Sequence, residues 1–362
     1  MHIQSLFVSD FRNWALAELS LGPHFNYIYG TNGAGKTALL EAVTTLSRAR
    51  SFRAGSPSNL IRHGNDAFLL RSELSSGAQL GIHRTRGGVV QIRRNGEAVK
   101  RVSELARELP IHVLLPDSSE LIFSGPSLRR RFLDWGLFHV EHAYLKDMRS
   151  FQKLLQQRNA WLKDTSATDL ENDPWAKQFA ELAANISLRR HDYVIRLQDA
   201  LGEILERLND DLDFSIDYDV DGFRSAGEIY KKLEENFARD VKMGSSQVGP
   251  HRADLKCRQA GKDAAKVASR GQAKVMASAL ILAQAKYERE RLDRPSVILI
   301  DDFGAELDKA HWGKFLALLV DLGCQVIATS TEAPEDHPAW DNTLACDVFH
   351  VEQGKIRHIR SP

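Results

Sequence analysis

The chain has 362 residues, 43% of them hydrophobic and 27% charged, which is enough for two domains with cores of their own and excludes wholesale disorder. Its 48 Lys and Arg balance 48 Asp and Glu, so net charge does not draw the whole protein to polyanions. No apolar run approaches the ~20 residues of a membrane helix, and Met1-His2-Ile3-Gln4-Ser5-Leu6 lacks the basic flank of a signal peptide.

Charge is nonetheless uneven along the chain. From Arg48 to Arg101 there are eleven Lys and Arg (48, 50, 53, 62, 71, 84, 86, 93, 94, 100, 101) against three acids (66, 73, 97). From Glu203 to Asp240 twelve acids outnumber five bases. One region can therefore meet a polyanion even though the average is neutral. Cys257, Cys324 and Cys346 lie far apart without CxxC spacing, as free thiols in a reducing cytoplasm do.

In chain order, residues 3–29 read as two or three short strands, and Phe25-Asn26-Tyr27-Ile28-Tyr29 runs straight into a glycine-rich loop. A helix follows at about 37–49, with Leu39, Leu40, Val43 and Leu46 on one face. Residues 66–115 read as a small antiparallel sheet with turns at Ser75-Ser76-Gly77, Arg86-Gly87-Gly88 and Asn95-Gly96. From Ser124-Gly125-Pro126 to about Leu208 the pattern is helical, broken near Pro174. Val194, Leu197, Leu201, Ile204 and Leu208 form a heptad seam only about two repeats long, which suits a compact bundle better than an extended coiled coil. After residue 245 come a helix at 271–291, the apolar strand Val297-Ile298-Leu299-Ile300, a helix at 308–321 and the strand Gln325–Ala328. That alternation belongs to a mostly parallel sheet.

The loop Gly30-Thr31-Asn32-Gly33-Ala34-Gly35-Lys36-Thr37 matches the phosphate-binding pattern GxxxxGK[ST] between a strand and a helix. Its glycines let backbone N–H groups turn onto phosphates, Lys36 reaches the β- and γ-phosphates of ATP, and the Thr37 hydroxyl suits Mg²⁺. Asp301, at the end of an apolar strand, is the natural carboxylate for the same ion, and Asp302 is placed to position the attacking water. The two halves of this site lie near opposite ends of the chain, so the chain must leave the site, build something else and return. Ser269-Arg270-Gly271-Gln272, opening the helix some thirty residues before Asp301, resembles the signature motif of ABC-type ATPases. Glu306-Leu307-Asp308 resembles the D-loop of that class. In such a class Ser269, Gly271, Gln272 and Asp308 serve a nucleotide held by a second protomer, and ATP joins the two chains.

Taken together the chain resembles the RecF family, a branch of ABC ATPases related to SMC heads. The resemblance runs nearly end to end. It is carried by Phe11-Arg12-Asn13, the 30–37 loop with Leu40-Glu41-Ala42, Ser51-Phe52-Arg53, Pro116-Asp117, Gly125-Pro126 with Arg129 to Trp135, Gly249 to Asp254, Ser269 to Gln272 and Asp301 to Asp308. It implies an α/β fold: a P-loop ABC-type ATPase head, a mostly parallel sheet plus a small antiparallel β subdomain, with an inserted helical lobe. The boundaries expected are 1–123 and 241–362 for the head and 124–240 for the lobe. The resemblance further implies a cytoplasmic ATPase with ATP and Mg²⁺ as cofactors, acting in recombinational repair and replication-fork maintenance. It dimerises on ATP, binds duplex DNA at single-strand gaps and junctions, and helps RecR and RecO load RecA. Departures are Ser124 where glycine is expected, no Q-loop glutamine near Pro116-Asp117, and Thr329-Ser330-Thr331 where a switch histidine would stand. Asp302 in place of glutamate, with its shorter reach, implies slow hydrolysis, and the resemblance implies that DNA stimulates it.

For DNA the candidates are Arg48, Arg50, Arg53, Arg84, Arg86, Arg93 and Arg94 of the basic stretch, and Arg129-Arg130-Arg131. Phosphate contacts of this kind are structure-selective and salt-sensitive; about five of them give a log K against log salt slope of roughly −4 to −5. Internal ion pairs by Arg129–Arg131 are the alternative use of those charges. No ladder of aromatics for stacking single strands is evident. Other readings are a transporter's nucleotide-binding subunit, which wants the missing switch histidine and Q-loop glutamine, and an SMC-type structural ATPase, which wants hundreds of heptad residues. The signature motif disfavours a third, a metabolic phosphotransferase.

Overall fold

The structure is a computed structural model, and the residues it describes are 1–53, 56–164, 169–208, 212–219, 225–303, 309–334 and 345–360. In chain order they form β1 (Ile3–Phe11), β2 (Trp14–Ser20), β3 (Phe25–Tyr29), α1 (Lys36–Arg48), β4 (Ala67–Leu74), β5 (Gln79–Thr85), β6 (Val90–Arg94), β7 (Glu97–Ala98), α2 (Val102–Glu108) and β8 (Ile111–Leu114). Then come α3 (Glu120–Phe123), α4 (Pro126–Val140), α5 (Tyr144–Asp164), α6 (Ala176–Leu208), β9 (Phe214–Asp219), α7 (Ala226–Met243), β10 (Asp254–Gln259), β11 (Lys262–Asp263) and α8 (Ala264–Val267). The chain closes with α9 (Arg270–Leu292), β12 (Val297–Ile300), α10 (Lys309–Asp321), β13 (Gln325–Ser330), β14 (Cys346–Glu352) and β15 (Lys355–Arg360). These elements divide into two compact units, one of residues 1–118, 206–210 and 277–362, the other of 119–205 and 211–276.

The first unit holds two six-stranded sheets, ordered β2-β1-β4-β5-β6-β7 and β15-β14-β3-β13-β12-β8. The former is antiparallel, and β4 alternates buried and less buried positions along its length, as a strand with one covered face does. The latter is parallel from β14 to β8, with β15 added antiparallel at one edge. Every residue of β12 and β13 is buried, as in strands covered on both faces, and β12 is apolar throughout. Ile111–Leu114, expected to close the small antiparallel sheet, instead pairs in parallel with β12. Ile111, His112 and Leu114 are all buried, so this strand lacks the alternation that would have suited the antiparallel partners. The Asn95-Gly96 turn is as expected, with both residues at positive φ between β6 and β7.

The second unit is built on α4, α5, α6 and α7, with Val194, Leu197, Leu201 and Ile204 of the seam buried. It is not helical throughout. A three-stranded antiparallel sheet, β11-β10-β9, belongs to it, and the unit runs to Met276 rather than ending at 240. Two buried arginines, Arg129 and Arg190, tie the helices to the Gly249–Asp254 segment, and a third, Arg158, ties segments of the helical part to one another. Arg129 makes a bidentate pair with Asp254 at 2.8 and 2.8 Å. Arg190 donates to the Pro250 carbonyl at 2.7 Å and pairs with Asp134 at 2.7 Å. Arg158 binds Asp173 at 2.7 Å and Asp240 at 2.8 Å.

Candidate functional site

The loop between β3 and α1 is shaped by close packing from behind. Gly30 sits at φ 155°, and a Cβ there would lie 2.1 Å from the Val351 carbonyl oxygen on β14. Gly35 sits at φ 115°, and its Cβ would meet the side chains of Asn13 at 2.7 Å and Trp14 at 2.8 Å. Those two side chains hold the loop from the β1–β2 turn: Asn13 Nδ2 donates to the Ala34 carbonyl at 3.0 Å, and Trp14 Nε1 to the Gly35 carbonyl at 3.0 Å. Among the described residues no side chain caps the N-terminus of α1, which leaves its first-turn N–H groups without a side-chain acceptor there. That is a cradle for an anion. Lys36 Nζ lies back along it, donating to the carbonyls of Gly30 at 2.7 Å and Thr31 at 2.9 Å. Burial lowers the Lys36 pKa from the ordinary lysine value, while Asp302 and Asp301 pull the other way.

Three oxygens converge beside Lys36. Thr37 Oγ1 donates to Asp301 Oδ1 at 2.8 Å, and Thr329 Oγ1 donates to the same atom at 2.8 Å. The Thr329 hydroxyl also accepts the Asp302 N–H at 3.0 Å, fixing a residue held at φ 57°. A non-glycine residue in the left-handed region at the end of a buried strand is strain of the kind that gathers at functional sites. The donors are hard oxygens with one carboxylate fully committed, which fits Mg²⁺ held with the help of substrate phosphates. It does not resemble an all-protein metal cage, and no group of three His, Cys, Asp or Glu side chains suited to a metal occurs among the described residues. Asp301 Oδ2 faces Arg53 Nη2 at 3.6 Å.

The structure thus brings together Gly30, Thr31, Asn32, Gly33, Ala34, Gly35, Lys36, Thr37, Asp301 and Asp302. Ser269, Gly271 and Gln272 are in the second unit at the exposed start of α9. There the Ser269 N–H donates to Gln272 Oε1 at 2.9 Å and Gln272 N–H to Ser269 Oγ at 3.2 Å, a reciprocal capping box. The Glu306-Leu307-Asp308 segment lies outside the described residues. Thr329, Asn13 and Trp14 were not assigned roles from sequence. Thr329 stood out only as the residue where a histidine was expected, Asn13 only as part of the Phe11-Arg12-Asn13 resemblance, and Trp14 not at all.

The arginines proposed for DNA separate into different classes. Arg129 is corrected: it is buried, and the carboxylate of Asp254 raises its pKa above the ordinary value. The internal ion pair given as the alternative use of these charges is thus the one that Arg129 makes. Arg130 is half-buried and donates to the Ala253 carbonyl at 2.8 Å. Arg48 is corrected too: Nη2 donates to the Ile111 carbonyl at 3.0 Å, and burial pushes its pKa down to about 9, still charged at neutral pH. Arg53 is exposed but faces Asp301. Arg50, Arg86, Arg93 and Arg131 are exposed and Arg84 is half-exposed. Arg94 is exposed as well, with Glu108 at 2.6 Å. No helix among the described residues is long and apolar enough to cross a membrane.

Comparison with known proteins bears on this geometry. The family model for the RecF/RecN/SMC N terminal domain matches residues 2–357. The chain is 36% identical over 359 residues to the DNA replication and repair protein RecF of Shewanella loihica, covering 98% of this chain and 99% of that protein. It is equally similar to the protein of that description from Shewanella pealeana, again 36% over 359 residues with 98% and 99% covered. Among solved structures, the recombination mediator protein RecF with ATPrS in the RecFOR pathway superposes with a TM-score of 0.87 at 26% identity. The match covers 99% of this chain and 98% of that one. An Smc head bound to the C-winged helix domain of ScpA matches with a TM-score of 0.60 at 15% identity, over 99% and 97% of the two chains, a likeness of fold.

Proposed function

Because this chain belongs to the RecF family, we propose that it is an ATP-dependent DNA-binding ATPase of replication and repair whose nucleotide site is completed by a second copy of itself. The observation that carries this reading is the convergence of Thr37 and Thr329 on one oxygen of Asp301, next to an uncapped α1 N-terminus and Lys36. The relatives supply the biological setting: replication and repair for the RecF proteins of Shewanella, and ATP and the RecFOR pathway for the solved structures.

ATP is the substrate. Its β- and γ-phosphates take the N–H groups of the loop and of the first turn of α1. Lys36 Nζ leaves the carbonyls of Gly30 and Thr31 to reach them, exchanging neutral acceptors for charged ones, which are about twice as strong. Mg²⁺, held at Thr37 and Asp301, would screen the charge that builds on the phosphates. Asp302, fixed through its N–H by Thr329, takes up the proton side of the attacking water, and its short side chain leaves that water loosely held. Slow hydrolysis follows, with turnover acting as release rather than as metabolism. Ser269 and Gly271 of one protomer meet the γ-phosphate bound at Lys36 of the other, so ATP joins the protomers.

DNA phosphates meet Arg50, Arg84, Arg86, Arg93 and Arg131, with Arg94 weakened by Glu108. With Arg48 and Arg129 removed from the set, these five contacts give a salt slope of roughly −4 to −5. Action in the cytoplasm at gaps and junctions, alongside RecR, RecO and RecA, completes the proposal. Light scattering with ATP, ADP or no nucleotide, with and without gapped duplex, tests it. Dimers that form with ATP for the wild type but not for Lys36→Met or Ser269→Arg support the reading; a monomer under every condition overturns it.

A further inference from the structure

Asp301 offers two oxygens to different neighbours. Oδ1 is taken by the hydroxyls of Thr37 and Thr329, and Oδ2 faces the Arg53 guanidinium at 3.6 Å. Arg53 is held there by a chain of contacts beginning on the helix that follows the phosphate loop. Glu41, buried on α1, receives Arg12 on both oxygens, at 2.9 and 2.6 Å, and the Ser51 hydroxyl at 2.5 Å. Ser51 Oγ in turn accepts the Arg53 N–H at 2.9 Å. Arg12 is itself anchored, donating from Nη1 to the Asn59 carbonyl at 3.0 Å and from its N–H to the Leu60 carbonyl at 2.7 Å. These contacts hold the backbone at 51–53, while the Arg53 side chain is 56% exposed.

From this geometry we infer that Arg53 is the resident counter-cation of Asp301 in the nucleotide-free protein, and that a divalent cation must displace it to bind, with Glu41 and Ser51 as the positioning residues that hold it in place. A guanidinium and a divalent ion cannot share one carboxylate without strong mutual repulsion at this range. The basic group therefore keeps the acidic site neutral and closed to free metal. The metal that arrives with ATP brings phosphates that offer the displaced arginine other negative charge. The device sets a preference for metal–nucleotide over metal alone. This inference rests on the proposed role of Asp301.

The test is Mn²⁺ binding to the full chain without nucleotide, read from the paramagnetic signal of the free ion. Arg53 is exposed, so Arg53→Gln is expected to fold, and a thermal melt checks this. Arg53→Gln is expected to bind Mn²⁺ about 5-fold more tightly than the wild type, the upper end of the scale for a partly exposed ion pair. Ser51→Ala moves affinity in the same direction by a smaller factor, about 3-fold on the same scale, and Asp301→Asn loses the site. Unchanged or weaker Mn²⁺ binding by Arg53→Gln, with the Asp301-dependent site intact, overturns the inference and leaves the ATPase reading standing. Mn²⁺ binding that ignores Asp301→Asn overturns the role of Asp301, and that of Arg53 with it.

Discussion

The ends of β12 and β13 and the interior of the second unit are both dense in charge, and they use it in opposite ways. In the second unit each buried guanidinium meets a carboxylate inside the protein: Arg129 with Asp254, Arg158 with Asp173 and Asp240, Arg190 with Asp134. Beside the glycine loop the charges are held ready instead. Lys36 rests on carbonyls, the α1 N-terminus has no cap, and Asp301 faces an arginine that is mostly in solvent. A closed set of pairs fixes architecture, since removing one member strands its partner in a low-dielectric interior. An open set is where a ligand enters.

The comparison breaks or holds on a graded series of variants. Lys36→Met is expected to lower ATP hydrolysis by on the order of 10²–10³-fold, the scale of one preorganised charge-stabilising donor, while the nucleotide-free melting temperature stays within about 2 °C. Arg129→Ala should behave in reverse. It is expected to cost about 3–5 kcal/mol in denaturant unfolding, because Asp254 is left buried and unpaired, and any loss of DNA binding should follow the unfolded fraction.

His251 gives the pH form of the same contrast. Its Nε2 lies 2.9 Å from the Ser246 carbonyl, so that nitrogen carries the proton, and the buried Nδ1 has no partner. Burial, with Arg252, Arg130 and Arg158 adding to it, pushes its pKa down to about 4 from 6.5. A folded-state pKa below the unfolded value means the unfolded chain binds the proton first. Stability is then full above about 6.5 and declines by up to about 3 kcal/mol as pH falls to about 4. His251→Gln should flatten that acid limb in urea titrations at pH 4.5 and 7.5, leaving nucleotide affinity at pH 7.5 unaltered. Thr329→Val removes one hydrogen bond to Asp301 and the acceptor for the Asp302 N–H, and should lower kcat by about 5- to 10-fold. The smallest effect is that of Arg93→Ala, which should reduce the salt slope of duplex binding by about one and leave stability and basal hydrolysis alone.

How much of this was legible beforehand depends on how local each cause is. The 30–37 loop, the α1 face and the buried strand before Asp301 declare themselves because strand, glycines and helix follow one another within a few residues. An internal pairing of Arg129 was legible as an alternative, but its partner was not, since Asp254 is 125 residues away. Arg53 read as one more base in a basic stretch, since only the fold sets it against Asp301. The clamp by Asn13 and Trp14 depends likewise on a turn more than twenty residues upstream of Gly35. The β14–β15 hairpin is local, turning between Glu352 and Lys355, and was missed all the same, whereas β9 meets β10 only across a long separation, Asp219 opposite Asp254. The family resemblance supplied what periodicity did not, and the 36% identity to the curated RecF proteins over nearly the full chain supports it.

The central claim is that Lys36 belongs to a site that only a second chain finishes, and one mixing experiment addresses it most directly. Lys36→Met and Ser269→Arg chains, each inactive alone, are combined and assayed for ATP hydrolysis. The account predicts recovered hydrolysis on mixing, because a mixed dimer contains one site with an intact Lys36 from one protomer and an intact Ser269 from the other. No recovery, with mixed dimers shown to form, would contradict it.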